Sequence, residues 1–318
     1  MVHNNLAMDQ LNQQAVMPAT PAGDVLTFRA PAKLNLGLRI FPRRPDGFHD
    51  IESWFVPISL YDTLTFQNAQ GLRLQLSGLA ADLSNEPEKN LAGRAALALA
   101  RAGGVAAHAQ IDLHKLIPAG GGLGGGSSDA ATTLLALKQL WNVPISHAEL
   151  SKLAATLGSD VPFFIHGQSA VCRGRGEIIE PLPFSRLLFA VLIIPPYGTS
   201  TKDVYQEFDK QAAAVDAKAI PWQEISQLSA AEISAVICND LEAPAFSVTA
   251  GLRDLRDKIT ALVGRPVHLS GSGSTLFILT DQPAQADALA ETLEHNLPEN
   301  IRILPVRLFS RNPVADQR

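Results

Sequence analysis

Cysteine is scarce: Cys172 and Cys238 are the two in 318 residues. So few exclude a disulfide framework and suit a reducing, cytoplasmic setting, with both thiols read as small buried hydrophobes. The eight histidines show no ligand spacing with one another or with cysteine, so a structural zinc site has no support and no metal ligands are assigned. Long apolar runs are missing too. The longest, Leu187 to Ile194, is far short of the ~20 residues that span a bilayer and reads as a buried strand. The N-terminus has neither a basic region nor an apolar core, so no signal peptide is expected. Net charge is −5 and the basic residues are scattered, which argues against nucleic acid as a partner. There is no internal repeat.

Hydrophobic residues are abundant at 46% against 18% charged, enough for a substantial core in one large or two ordinary domains. Glycine is concentrated in one place: Pro118-Ala119-Gly120-Gly121-Gly122-Leu123-Gly124-Gly125-Gly126-Ser127-Ser128-Asp129. Before it, Ala109 to His114 alternates like a strand; after it, Ala130, Leu134, Leu137 and Trp141 recur at helical spacing. Glycine lets a ligand lie on the main chain, and unpaired N–H groups at a helix start attract anions. A flexible linker is the plain alternative, but a linker does not usually stand between a clean strand and an amphipathic helix. No Gly-Lys-Ser/Thr closes the run, so it is not a Walker loop, and its G-x-G-x-x-G match is too easily produced by any such run to mean a dinucleotide fold.

Residues 1–23 are polar and without period, and a disordered tail is expected there. Strands are expected at Val25–Ala30 and onward through Leu38, at Ile51–Ile58, Asp62–Phe66 and Leu72–Leu76, with a helix opening at Asn90. Leu34, Leu36 and Leu38 share one strand face and Lys33 and Asn35 the other, which for a lone lysine usually means a solvated face. Pro45-Asp46-Gly47 is a turn that delivers Phe48 and His49, or simply a hairpin with a packed phenylalanine. Ser146 and Glu149 form a capping box. Asp160 follows that helix in a tight connection, where spacing alone favours an N-cap. In such a place backbone N–H groups would keep its carboxylate ionised. After Pro183 a strand, helices, two strands, a helix and a strand predict a split β-α-β arrangement, and Pro305 predicts an edge or bulge in the last strand. Gly271-Ser272-Gly273-Ser274 between two of those strands is a tight hairpin, or a second set of N–H groups for the same anion.

Three motifs in this order resemble the GHMP kinases, the superfamily of galactokinase, homoserine kinase and mevalonate kinase. They are Pro31-Ala32-Lys33-Leu34-Asn35-Leu36, Pro118 to Ser128, and Leu269-Ser270-Gly271-Ser272-Gly273-Ser274. Together with Pro45-Asp46-Gly47-Phe48-His49, Lys89-Asn90-Leu91 and Leu157-Gly158-Ser159-Asp160-Val161-Pro162-Phe163-Phe164, the set most resembles the branch that phosphorylates a cytidyl-bearing alcohol, over residues 25–310.

The resemblance implies a two-domain α+β fold: an N-terminal ATP-binding domain over 24–183, like ribosomal protein S5 domain 2, and a ferredoxin-like C-terminal domain over 184–318. It implies that Asp160 takes or orients the proton of the acceptor hydroxyl and that Lys33 supports it. ATP would lie on Pro118, Ala119, Gly120, Gly121, Gly122, Leu123, Gly124, Gly125, Gly126, Ser127 and Ser128, with Asn90 and Lys115 near the adenine. Mg²⁺ is expected near Ser127 or Ser128. Asn35, His49, Gly271, Ser272 and Gly273 would contact the acceptor, and Phe48 and Tyr205 would sandwich its cytosine. Phe48 departs from the family's tyrosine: the ring is kept and the hydroxyl lost. Partners would be the small-molecule cytidyl substrate and ATP, with no nucleic acid or membrane, in a monomer or weak homodimer. A homoserine or sugar kinase, and a non-catalytic nucleotide-binding regulator, are the alternatives. The Gly-Phe-His turn speaks against the first, and Lys33 with Asp160 against the second.

Overall fold

The computed structural model describes residues 25–80, 83–211 and 220–311; the tail expected over 1–23 lies outside them. The chain opens with two long strands, β1 (Leu26–Arg43) and β2 (His49–Gln67), paired antiparallel along most of their length. The sequence breaks β2 in two. The structure joins the pieces by placing register shifts at Pro31/Ala32 and Asn35/Leu38, where an irregular ladder tolerates Pro31 and the positive φ of Gly37. β1 is buried from Ala30 to Leu38, so the face carrying Lys33 and Asn35 is not solvated. Alternation alone could not tell this, since it predicts only that the two faces differ.

The N-terminal half continues with β3 (Leu72–Gly78), α1 (Leu91–Gly103), β4 (Ala109–Lys115), α2 (Gly125–Leu140), α3 (His147–Leu157), α4 (Val161–His166), β5 (Ala170–Gly174) and β6 (Ile178–Pro181). The side chain of Asn90 caps α1, Gly104 ends it in the left-handed region, and Ser146 with Glu149 forms the expected capping box of α3. With β1 along one edge, β2 uses its other edge in turn: β5 at Ile51–Phe55, β10 at Ile58 and β4 at Thr63–Gln67. The first four helices bury Ala95, Leu99, Leu134, Leu137, Leu150 and Phe163 against this sheet.

The C-terminal half holds β7 (Leu188–Ile194), α5 (Thr201–Gln211), α6 (Trp222–Ile225), α7 (Ala230–Val236), α8 (Glu242–Val248), α9 (Leu252–Val263), β8 (His268–Leu269), β9 (Leu276–Thr280), α10 (Pro283–Asn296) and β10 (Arg302–Leu308). Its antiparallel order β10-β7-β9-β8 is the ferredoxin-like one, matching the split β-α-β reading. At Pro305 the strand β10 pairs β7 alone, as the proline requires, and it meets β2 only at Leu308. That junction fuses the two halves into one ten-stranded sheet. A shared apolar cluster of Leu34, Leu36, Trp54 and Val56 with Leu188, Leu192, Trp222 and Phe277 lies across it.

Candidate active site

The glycine run lies between β4 and α2, and its carbonyl groups from Gly120 to Gly124 are tied back into the protein. Gly120 O accepts from Thr199 N (3.1 Å), Gly121 O from Thr275 N (3.2 Å), Leu123 O from Lys33 N (3.0 Å) and Gly124 O from Ser128 N (2.9 Å). Gly122 O accepts from both Lys33 Nζ (3.0 Å) and Ser270 Oγ (2.9 Å). Among the described residues no N–H from Ala119 to Ser127 finds a backbone acceptor. A segment with its oxygens spent and its N–H groups free, at a helix start, has the geometry that can receive an anion. Two glycines are demanded by contact as well as by conformation. Gly122 (φ +73°) would place a Cβ 2.0 Å from Ser270 O, and Gly124 (φ +70°) would place one 2.9 Å from Phe164 and 3.2 Å from Lys33 Cε. One boundary differs from the sequence reading: Gly125, Gly126, Ser127 and Ser128 form the first turn of α2 rather than loop. Gly126 is exposed and Ser127 half-buried, whereas Ser128 is buried with its hydroxyl unpartnered.

Lys33 is 4% exposed and its ammonium projects beneath this loop. It donates to Asn35 Oδ1 (2.5 Å) and to Gly122 O, lies 4.7 Å over the Phe55 ring, and stands 3.8 Å from Asp160 Oδ2. Burial pulls the lysine's pKa below its ordinary value, and the Asp160 carboxylate opposes that pull. Asp160 does occupy the N-cap position of α4, but its side chain makes no capping bond. Its carboxylate is turned to Lys33, so an ion pair, not backbone N–H groups, is what faces it. Cys172, buried beside both, has its thiol pushed well up by burial and then by Asp160.

Asn35 is spent between Lys33 and Ser53 Oγ, to which its amide donates at 2.9 Å. A Cβ on Gly271 would fall 2.9 Å from Asn35 Oδ1, so the second glycine turn lies directly against the lysine and asparagine. Ser270 is its anchor: its hydroxyl donates to Gly122 O and accepts from Asn35 N (3.3 Å), joining all three motifs at one atom. Ser272 bonds Thr201 on α5 (2.8 Å), and Gly273 has φ +85° within the turn.

On the acceptor side Phe48 is 52% exposed, and the Arg175 guanidinium covers it at 4.7 Å. His49 is buried, with Nδ1 against Phe41 O (2.7 Å) and Nε2 against Asp209 Oδ1 (2.9 Å). Both ring nitrogens of the residue expected to contact the acceptor are thus engaged within the protein. Tyr205 packs on the His49 ring at 5.8 Å, not on Phe48, and burial, then Asp160, raises its phenol pKa.

Two expected adenine contacts are also placed elsewhere. Asn90 uses its amide locally, accepting from Ala92 N and donating to Ser84 O. Lys115 is 2% exposed and bonds Asp62 and Asp129 beneath α2. Asp62 also accepts from Leu116 N and Ile117 N. Neither side chain is open to a ligand here. Sequence reading missed Arg175, Asp209, Ser270, Asp62 and the partnership of Asp129, because each acts through a neighbour distant in the chain. Ser270 alone carried a signal, as one serine more than a turn needs.

Family comparison agrees with this architecture. The model of the GHMP kinases N terminal domain matches residues 90–168 and that of the GHMP kinases C terminal region matches 221–299, which places the protein in the GHMP kinase class. Within it, the chain belongs to the 4-diphosphocytidyl-2-C-methyl-D-erythritol kinase family. It is 41% identical over 258 residues to that kinase of Pelotomaculum thermopropionicum, covering 80% of this chain and 89% of the relative. It is 38% identical over 273 residues to that of Streptomyces avermitilis, covering 84% and 92%. A crystal structure of 4-(cytidine 5'-diphospho)-2C-methyl-D-erythritol kinase aligns with a TM-score of 0.73 at 36% identity, over 89% of this chain and 99% of that one. Homoserine kinase from Cytophaga hutchinsonii aligns at 0.68 with 19% identity, over 93% and 98%, which shares the fold. Among the described residues no helix is long and apolar enough to cross a membrane.

Proposed function

We propose that the chain transfers the γ-phosphoryl group of ATP to the C2 hydroxyl of 4-diphosphocytidyl-2-C-methyl-D-erythritol, with Asp160 and Lys33 as the catalytic pair. The observation that carries this reading is Lys33 Nζ, which bonds the glycine loop at Gly122 O and faces Asp160 at 3.8 Å. One ammonium thereby spans the phosphate cradle and the carboxylate.

Phosphoryl transfer asks a protein mainly for alignment and charge neutralisation. The free N–H groups from Gly120 to Ser127 would hold the β- and γ-phosphates. Asp160, 29% exposed at its side chain, would accept the acceptor's hydroxyl hydrogen bond and aim its oxygen at the γ-phosphorus. Lys33 has three N–H donors and spends two on Asn35 and Gly122, leaving the third for the carboxylate or the transferring oxygens. Phe48 would stack the cytosine.

For Mg²⁺, half-buried Ser127 and the unpartnered Ser128 hydroxyl are the oxygens that fit. No group of three or more His, Cys, Asp or Glu side chains is placed to hold a metal among the described residues. The ion would therefore rest largely on the phosphates and supply charge neutralisation there.

ATP turnover with a panel of 4-diphosphocytidyl-2-C-methyl-D-erythritol, homoserine, mevalonate and galactose tests the reading. Turnover of the first alone is expected. Preference for another acceptor, or none at all, would replace it with the sugar/homoserine kinase or the regulator reading.

A further inference from the structure

The turn that presents Phe48 is well braced within itself. Gly47 N donates to Arg44 O (3.0 Å), Arg44 N to Phe48 O (2.7 Å) and Phe48 N to Asp46 Oδ1 (3.1 Å). Such bonds set the turn's shape but not where it stands relative to the cleft. Its feet are Arg43, which enters it, and His49, which leaves it. Arg43 Nε donates to Gly47 O (3.0 Å), so that side chain is tied to the tip. The His49 ring is anchored to β1 at Phe41 O.

Both feet then meet one carboxylate. Asp209 Oδ1 is 2.9 Å from His49 Nε2, and Asp209 Oδ2 is 3.6 Å from an Arg43 guanidinium nitrogen. Asp209 lies on α5, in the C-terminal half, with Tyr205 one helical turn before it and Phe208 beside it. Both rings pack on the His49 imidazole, at 5.8 Å and 5.6 Å. α5 is itself tied to the second glycine turn through Thr201 and Ser272.

We propose that Asp209 is the positioning residue of the acceptor site: by gripping His49 and Arg43 together, it sets the pose in which Phe48 meets the cytidyl base. The inference rests on the cytidyl-kinase reading above. Asp209 touches neither substrate nor reacting atoms. It links the acceptor turn to the half of the protein that carries the second glycine turn. With both imidazole nitrogens held, His49 cannot rotate, and Phe48, the residue before it, is kept exposed.

The test is steady-state kinetics on the full chain with Asp209→Ala and Asp209→Asn, varying the cytidyl acceptor and ATP separately, with thermal unfolding alongside. Asp209→Ala is expected to raise KM for the acceptor about tenfold, the scale of one charge-assisted hydrogen bond, and to leave kcat and KM for ATP unchanged. Asp209→Asn keeps an oxygen towards His49 and loses the charge towards Arg43, so it should show a smaller rise. An unchanged acceptor KM in Asp209→Ala overturns the inference. So does a parallel loss in kcat and both KM values, which marks a merely structural role. Should the alanine variant fail to fold, an unchanged acceptor KM in Asp209→Asn overturns it equally. Wild-type protein inactive on the cytidyl acceptor sinks the function reading and this inference together. An active wild type with an indifferent Asp209→Ala sinks this inference alone.

Discussion

Lys33 Nζ and Asp160 Oδ2 stand 3.8 Å apart beneath the glycine loop, although 127 positions separate them in the chain. Each has an unremarkable local setting, one within a strand and one at a helix start. What joins them is the packing of α2 on β1 and of α4 on α2, which brings the N-cap of α4 to the buried lysine of the strand. Asp160→Asn keeps the shape and removes the charge. It should lower kcat by about 10²–10⁴-fold, the usual contribution of a positioned acid or base, with little change in thermal stability. A kcat near wild type would remove Asp160 from the mechanism.

Phe48 exposes half its surface where an apolar ring gains nothing from folding. Phe48→Ala should therefore leave the unfolding temperature nearly unchanged while raising KM for the cytidyl acceptor. KM for ATP should stay put, because Phe48 is covered by Arg175 and not by any residue of the glycine loop. Equal losses for both substrates would show that the ring serves the fold and not the base.

Gly122 lies where loop and second turn touch. Gly122→Ala adds a left-handed backbone cost of about 1–2 kcal/mol and an overlap with Ser270 O costing about 1–3 kcal/mol more. It should lower the unfolding temperature and weaken ATP together, since the loop can relax only by moving its carbonyls off their donors. Normal ATP affinity in this variant would show that the cradle does not depend on that contact.

The buried group Asp62, Lys115 and Asp129 makes stability depend on pH. Burial raises the Asp129 pKa from 3.8 to about 7, with the Asp62 carboxylate adding to the rise and Lys115 opposing it. Between those values the folded protein holds a proton that the unfolded chain releases. The contribution of this carboxyl to stability is thus complete below about pH 4 and lost as pH rises through 7. Asp129→Asn has no such proton to lose. Melting curves from pH 5 to 8 should show the variant gaining on wild type as pH rises. A constant difference across that range would mean that Asp129 does not titrate there. Lys115→Met, which leaves the buried Asp62 carboxylate without its ammonium partner, should cost about 3–5 kcal/mol.

Much of this protein was legible in the residues alone. The glycine run between a strand and a helix, the capping box at Ser146, the split β-α-β order and the edge character at Pro305 are local patterns, and the structure keeps them; the helix expected to be amphipathic is instead buried nearly all round from Ser128 to Leu134. The segments Ile51–Ile58 and Asp62–Phe66 proved to be one long strand, because a register shift opposite Pro31/Ala32 carries the ladder through Ser59–Tyr61. Asn90 and Lys115, expected near a base, are spent on Ala92, Ser84 and two carboxylates. No spacing rule shows a partner 53 residues away.

The glycine run by itself determined that an anion can lie on the main chain, since only backbone geometry and a helix start are needed for that. Which way the run faces was decided by tertiary structure. Four donors from elsewhere in the chain, Thr199, Thr275, Ser270 and Lys33, hold its carbonyls back, while its N–H groups are left without backbone acceptors. Hydrogen bonds between distant segments have no period and no local signature. They exist only once β1, the loop and the second turn have been brought to one place.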